Sequence, residues 1–71
     1  MSDEAPVTLF MPVENSGEYR AVRAIRQRED IYVVLGPMAE GDVWKFPPGT
    51  MVRRRSKALP DGRQEMVAVA L

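Results

Sequence analysis

Residues 41–52 read GDVWKFPPGTMV, and this stretch does more than any other to decide the fold that the sequence predicts. It contains the only tryptophan of the chain, Trp44, and one of the two phenylalanines, Phe46, directly before a Pro-Pro-Gly turn sequence at 47–49. Proline fixes φ and removes a backbone donor, whereas glycine adopts positive φ without steric cost. We therefore expect a rigid corner at 47–49 that joins a short extended segment to a strand.

Around that corner the sequence predicts five strands, because apolar alternation or runs of β-branched residues recur between turn signals. The predicted strands are Val7–Val13, Glu18–Arg28, Ile31–Leu35, Thr50–Lys57 and Glu65–Leu71. The last two flank a Pro-Asp-Gly sequence at 60–62, which is a strong hairpin signal. Pro12 cannot donate to a β-ladder, so we expect it in an edge strand or near the end of its strand.

The segment Glu18–Arg28 is the one whose secondary structure the sequence leaves open. As a helix, capped from the preceding turn cluster, it would place Tyr19, Val22 and Ile25 on one face. As a strand it would have two mixed faces, but only a Glu-Asp pair separates it from the next predicted strand, which suits a hairpin turn. We favour the strand and an all-β fold. The alternative is an α+β fold with one helix near residues 16–28.

The order aromatic–Pro–Gly–x–x–Val between Phe46 and Val52 resembles the start of a strand in SH3-like small barrels. This resemblance implies a five-stranded SH3-like small barrel. Barrels of this superfold bind proteins, bind RNA or act as enzymes, so the resemblance implies a fold and leaves the chemistry open. The C-terminal run 66–71 is apolar on both faces, and we expect it either in the centre of the barrel or at a subunit contact.

The size and composition of the chain limit what it can do. Its 71 residues predict one small β domain at 6–71, after a tail at 1–5 that we expect to be disordered. The chain has no cysteine and no histidine, which excludes disulfides, the usual zinc sites and Ser-His or Cys-His catalysis. We predict that it is not an enzyme and has no cofactor or metal. Because so short a chain buries a limited core, we also expect a homo-oligomer or a protein partner.

The sequence predicts a cytoplasmic protein without a membrane association. Residues 1–6, MSDEAP, are acidic where the start of a secretory signal would be basic. No apolar run approaches the roughly 20 residues that cross a bilayer.

One group of candidate contact residues combines the large side chains near the corner with the C-terminal strand. Its members are Trp44, Phe46, Met66, Ala68 and Ala70. An exposed Trp44 would be the natural hot spot for a protein partner, whereas a buried one would belong to the core, and the sequence leaves both open. From this group we predict a non-catalytic small interaction module that self-associates or binds a protein.

A second group of candidates is the run of cations in the predicted fourth strand, consisting of Arg53, Arg54, Arg55 and Lys57. In a strand, Arg54 would point away from the other three. The run is either a solvated face balanced by Asp61 and Glu65 or a phosphate-binding face beside aromatic rings such as Trp44, Phe46 or Tyr32. A nucleic-acid-binding SH3-like module is therefore the second function considered, although the net charge is zero. An oligomeric barrel that binds a small ligand or acts as an enzyme is the third.

Overall fold

The computed structural model describes residues 5–71, in which five strands form one closed β-barrel. The strands are β1 (Val7–Val13), β2 (Glu18–Arg28), β3 (Ile31–Val34), β4 (Met51–Ala58) and β5 (Gln64–Val69). Successive strands are antiparallel, and the barrel closes where β5 runs parallel to β1 at Phe10 and Val67. The all-β prediction is confirmed, and the small closed barrel is consistent with an SH3-like architecture. Of the predicted tail, only Ala5 is among the described residues, and it is exposed and belongs to no strand.

The alternative of a helix near residues 16–28 is wrong, because this segment forms the strand β2. β2 pairs with all seven residues of β1 on one side and with β3 on the other. Val22 and Ala24 point into the barrel, and the residues between and beside them face outward. A helix here would leave β1 and β3 each with one unpaired edge, so pairing overrides the partial helical pattern. The predicted hairpin turn to β3 is present, and Glu29 adopts a φ of 43° in it.

Side chains from all five strands and from the segment before the corner fill the barrel. The buried cluster consists of Leu9, Met11, Val13, Val22, Ala24, Tyr32, Val34, Trp44, Val52 and Ala68. Leu59 and Val67 are buried as well, but they lie outside this cluster, Leu59 directly after β4 and Val67 within β5. The main core is therefore assembled within one chain, and apolar side chains on the outer faces of the strands do not contribute to it.

The predicted corner at 47–49 is confirmed. The carbonyl of Pro47 accepts a hydrogen bond from Thr50 N at 3.1 Å, and Gly49 has a φ of 91°, as a type II turn requires. Gly49 N also donates to the carbonyl of Val34 at 2.8 Å, which fastens the corner to the end of β3.

The extended segment that leads into the corner lies beside the end of β1. Glu14 N donates to the carbonyl of Val43 at 2.7 Å, and Lys45 N donates to the carbonyl of Pro12 at 2.9 Å. Because the nitrogen and the carbonyl of one strand residue point the same way, the missing donor of Pro12 lies on this side and removes no bond to β2. β1 is paired on both sides, and it accommodates Pro12 one residue before its end.

β5 is a strand of the closed barrel wall and has a neighbouring strand on each side, which is the first of the two positions expected for the C-terminal run. It pairs with six residues of β4 and meets β1 at its other edge. Val67 and Ala68 point to opposite faces, and both are buried. The strand ends at Val69, and Ala70 is exposed beyond it.

In the described part of the chain, no helix has the length and apolarity that a membrane crossing requires.

Candidate interaction surfaces

Trp44, the first residue predicted to bind a partner, is a core residue. Only 7% of its surface is exposed, and its indole Nε1 donates a hydrogen bond of 3.0 Å to Asp42 Oδ2. Arg20 donates to the same carboxylate twice, from Nε and Nη2, at 2.8 Å each. A buried indole N–H needs an acceptor, and Asp42 supplies it. Trp44 is thus held inside the barrel by a polar network at its rim.

The charges of this network compensate each other. The hydrogen bonds from Arg20, and after them the bond from Trp44, stabilise the ionised carboxylate and hold the pKa of Asp42 below its ordinary value. The same contact raises the pKa of Arg20. Asn15 fixes the surrounding loop, because its amide donates to the carbonyl of Gly41 at 2.8 Å and accepts from Val43 N at 3.2 Å. The polar and charged side chains at this end of the barrel therefore bind each other and the loop backbone, and they stabilise the fold.

The other four residues of the first predicted group occupy different environments. Ala68 is in the core with 1% of its surface exposed, and Met66 and Phe46 are partly buried against the core. Ala70 is exposed. A role of this group in partner binding remains a prediction, and its two buried members, Trp44 and Ala68, expose 7% and 1% of their surface.

A groove of about 200 Å³ brings Phe46, Ala68 and Ala70 together. We call it the β5 groove, and it is lined by Pro12, Tyr19, Lys45, Phe46, Lys57 and residues 67–70. Lys45 Nζ lies 5.7 Å from the centre of the Phe46 ring, and Lys57 Nζ lies 5.7 Å from the centre of the Tyr19 ring. No acidic residue lines the groove, and among residues 5–71 no ion pair joins either lysine to a carboxylate.

The outward cations of β4 border this groove, and we call Arg53, Arg55 and Lys57 the basic row. Arg55 is paired in register with Val67, and Arg53 is paired with Val69, so the row runs beside the strand that lines the groove. The predicted alternation is confirmed: Arg54 points the other way, and its guanidinium carbon lies 5.2 Å from the centre of the Tyr32 ring. Tyr32 itself is buried and offers no stacking surface.

The acids that were expected to balance the basic row bind a different cation. Arg63 Nε lies 2.8 Å from Asp61 Oδ2, and Arg63 Nη1 lies 3.8 Å from Glu65 Oε2. Chiefly because it accepts a bond from Arg63 N, the carboxylate of Asp61 has a lowered pKa. Within residues 5–71 the basic row forms no ion pair with a carboxylate, and Glu65, the acid opposite Lys57 in register, lies 3.8 Å from Arg63 Nη1 instead.

A second groove, of about 400 Å³, adjoins the first at Tyr19 and differs from it in charge. Phe10 and Leu59 contribute its apolar surface, while Glu18 and Asp61 place carboxylates in it. Its cation, Arg63, lies 5.6 Å from the centre of the Phe10 ring, but it is already paired with Asp61. This groove therefore contains an aromatic ring with a cation above it, but the charge of that cation is already paired with a carboxylate.

The outer face of β2, β3 and β4 carries a line of apolar side chains. Ile25 lies opposite Val33, and Val33 lies opposite Met51. We call these three residues the outer apolar stripe. Met51 is 41% exposed, and Ile25 and Val33 are partly exposed. Antiparallel sheets with one buried face usually carry polar residues on the other, so this stripe departs from the usual pattern.

Arginines rim the outer apolar stripe on both sides. Arg23 lies beside Leu35 on one side, since its carbonyl accepts from Leu35 N at 2.9 Å. On the other side Arg28 and Arg53 both lie opposite Ile31. In the described residues, none of these three arginines forms an ion pair with a carboxylate. The result is an apolar surface with a basic rim.

Sequence reasoning missed the outer apolar stripe and the ring–lysine pairs of the β5 groove. One signal for the stripe was present, because the run Ile31–Leu35 is apolar at every position and a strand with one solvated face would alternate. No comparable signal pointed to Lys57 and Tyr19, which are far apart in the chain and lie on strands that are not neighbours in the barrel.

The described residues contain no group of three or more acidic, cysteine or histidine side chains placed to hold a metal ion. No known protein family matches the chain, and no curated protein or solved structure shows significant similarity to it.

Proposed function

We propose that this protein is a non-catalytic interaction module that binds a protein partner through the outer apolar stripe. The observation that supports this function is the outward-facing row of Ile25, Val33 and Met51, in which Met51 is exposed and the other two are partly exposed, on a barrel whose interior is already filled. Exposed apolar patches with polar rims are typical of protein contacts, and interfaces combine an apolar centre with a rim in which arginine is frequent. An SH3-like barrel is compatible with this function but also with others, so the proposal rests on the surface and not on the fold.

The basic rim indicates the chemistry of the partner. The rim is formed by Arg23, Arg28 and Arg53, and the nearest acids in the sequence are Glu29 and Asp30 in the turn after β2. A partner with an apolar ridge flanked by aspartate or glutamate would cover the stripe and pair with the arginines. A second copy of this chain would bring two basic rims close together. We therefore propose a different, acidic protein in preference to self-association.

The test compares two glutamate substitutions at exposed positions of the same strand. Met51→Glu places a charge in the stripe, and Ala58→Glu places the same charge at the other end of β4 as a matched control. Pull-downs from nuclease-treated lysate of the source cells should recover an acidic protein with the wild type and with Ala58→Glu, and lose it with Met51→Glu. Recovery should also fall with rising salt, because the rim contributes charge pairs.

Light scattering on the same three proteins tests the alternative. A wild-type dimer that Met51→Glu converts to a monomer would assign the stripe to self-association. Equal recovery of the same proteins by all three chains would show that the stripe is not the contact.

A further inference from the structure

The β5 groove has features that a protein partner on the outer apolar stripe would not use. Each of its two half-buried rings has a lysine above it: Lys45 at Phe46 and Lys57 at Tyr19, both with Nζ 5.7 Å from the ring centre. The groove has an apolar floor and no carboxylate in its lining. We propose that the β5 groove binds single-stranded nucleic acid, which is a function beyond the protein contact proposed above.

Tyr19 and Phe46 provide the stacking surfaces. Both side chains are partly buried, so their rings are held by the protein while they line the groove. Bases stack on such rings with little sequence preference, and that contact is stronger than the one between an exposed lysine and a ring. A base can therefore replace each lysine above its ring.

The cations provide the phosphate contacts. Alternate residues of a strand lie about 7 Å apart, so the basic row is a line of charges along β4. Its register partners Val67 and Val69 line the groove, which places the row along the groove's edge. Lys57 belongs both to the row and to the groove lining, and it connects the two. A lysine displaced by a base remains within reach of the phosphate of the same nucleotide.

The combination of rings and free cations selects among anionic ligands. A duplex keeps its bases stacked inside, so it would use the cations and leave the rings unused. An acidic peptide would likewise need no pair of rings. A nucleotide carries a flat aromatic group and an anion in every repeat, and only an unpaired strand presents both together. The three cations of the basic row face one acid in register, Glu65 opposite Lys57, so the local charge is positive although the net charge of the chain is zero, because screening limits the field of distant acids.

The test measures the fluorescence anisotropy of labelled oligo(dT) and oligo(rU) of about 12 nucleotides with the full chain. Three or four phosphate contacts predict a log–log dependence of affinity on salt with a slope of about −2 to −3. The double variant Lys45→Ala/Lys57→Ala should lose affinity by about tenfold or more, since it removes contacts to charged groups. Both lysines are exposed, so its circular dichroism and melting should match the wild type.

The chain contains a matched control for this variant. Arg63 also lies over an aromatic ring, but it is paired with Asp61 and lies outside the β5 groove. Arg63→Ala should therefore bind the oligonucleotides as the wild type does. Ile25→Glu, which alters the stripe on β2 and not on the strand of the basic row, should do the same, and this result would keep the outcome for the groove separate from the outcome for the stripe.

Three results would overturn the proposal. The first is the absence of binding at low salt, and the second is equal affinity of the double-lysine variant and the wild type. The third is competition by a duplex or by a polyglutamate peptide as effective as that of the unlabelled single strand. Effective polyglutamate competition would assign the groove to an acidic protein segment instead.

Discussion

Two regions of this barrel place a cation beside an aromatic side chain, and they differ in what else the cation contacts. At the rim near Trp44, Arg20 is bound twice to Asp42, which also accepts the indole hydrogen bond. In the β5 groove, Lys57 contacts the Tyr19 ring and forms no ion pair within the described residues. At the rim near Trp44 the charges pair with each other beside a buried core residue. In the β5 groove the charge of Lys57 is not used in an ion pair and is available to a ligand.

This difference shows why the only tryptophan did not by itself distinguish a core position from an interaction surface. Large aromatic residues stabilise cores and interfaces by the same burial, so residue type alone does not distinguish the two. The two regions of this barrel differ in whether the nearby charges form ion pairs. Four measurements would break or sharpen the comparison, and they follow from the largest expected effect to the smallest.

The largest effect is expected at Trp44. Trp44→Ala removes a buried side chain from the main core, and such substitutions cost about 3–5 kcal/mol, a large part of the stability of a small domain. Urea denaturation followed by circular dichroism should find the variant largely unfolded. Phe46→Ala is the matched aromatic control and should cost less, because Phe46 is only partly buried. Equal and small losses for both variants would contradict the core assignment of Trp44.

The second effect concerns pH. The pKa of Asp42 is lower in the folded protein than its ordinary value of 3.8, so the ionised carboxylate stabilises the fold above that value. This stabilisation is lost as the pH falls through the lower, folded-state pKa. Asp42→Asn should therefore lower the melting temperature at neutral pH and flatten its decline below about pH 4. Thermal melts of both proteins across this range measure the difference.

Asp61→Asn serves as the control for the pH experiment. Asp61 also has a lowered pKa, but its side chain is 54% exposed and its partner Arg63 is exposed too, so solvent screens the contact. Its loss at neutral pH should be the smaller of the two. An Asp42→Asn protein with the same acid profile as the wild type would show that the rim network does not stabilise the core.

The third effect tests the corner that places Trp44 and Phe46 in their different environments. Gly49 has a φ of 91°, and a Cβ there would meet no other atom, so Gly49→Ala introduces backbone strain and no clash. The expected cost is about 1–2 kcal/mol, measured by urea denaturation. A neutral result would mean that the turn can change its type without disturbing either region.

The smallest effect is expected in the β5 groove. Lys57→Ala and Lys45→Ala should each change the free energy of unfolding by less than about 0.5 kcal/mol, because both side chains are exposed and unpaired within residues 5–71. Denaturation curves that coincide with the wild type would support the contrast with the Trp44 rim. A loss well above that limit would make the lysines structural and remove the distinction between the two regions.

Local sequence signals predicted most of the strands and turns. The Pro-Pro-Gly corner, the Pro-Asp-Gly hairpin and the run of β-branched residues at 31–35 each limit the backbone through neighbours in sequence, and each appears close to its expected place. β2 was harder to predict because neither of its faces is uniformly apolar. Its secondary structure is determined by pairing with β1 and β3, which lie on either side of it in the barrel.

The candidate surfaces were less predictable. The alternation of Arg53, Arg55 and Lys57 followed from strand geometry, but their lack of acidic partners did not, because Asp61 and Glu65 are near in sequence and turn to Arg63 instead. Which aromatic rings would be covered was also beyond the sequence. Tyr32 and Trp44 were as plausible for stacking as Phe46, and the barrel buries the first two.

By itself, the sequence favoured an all-β chain and determined its rigid corner and hairpins, because proline, glycine and β-branched residues act on the backbone over a few positions. It also determined that thiol, imidazole and disulfide chemistry are absent, since the residues are absent. Only the tertiary structure decided which aromatic side chains are buried, which cations are paired, and which apolar residues form a line across three strands. These properties depend on contacts between residues distant in the chain, and strand pairing and barrel closure bring those residues together.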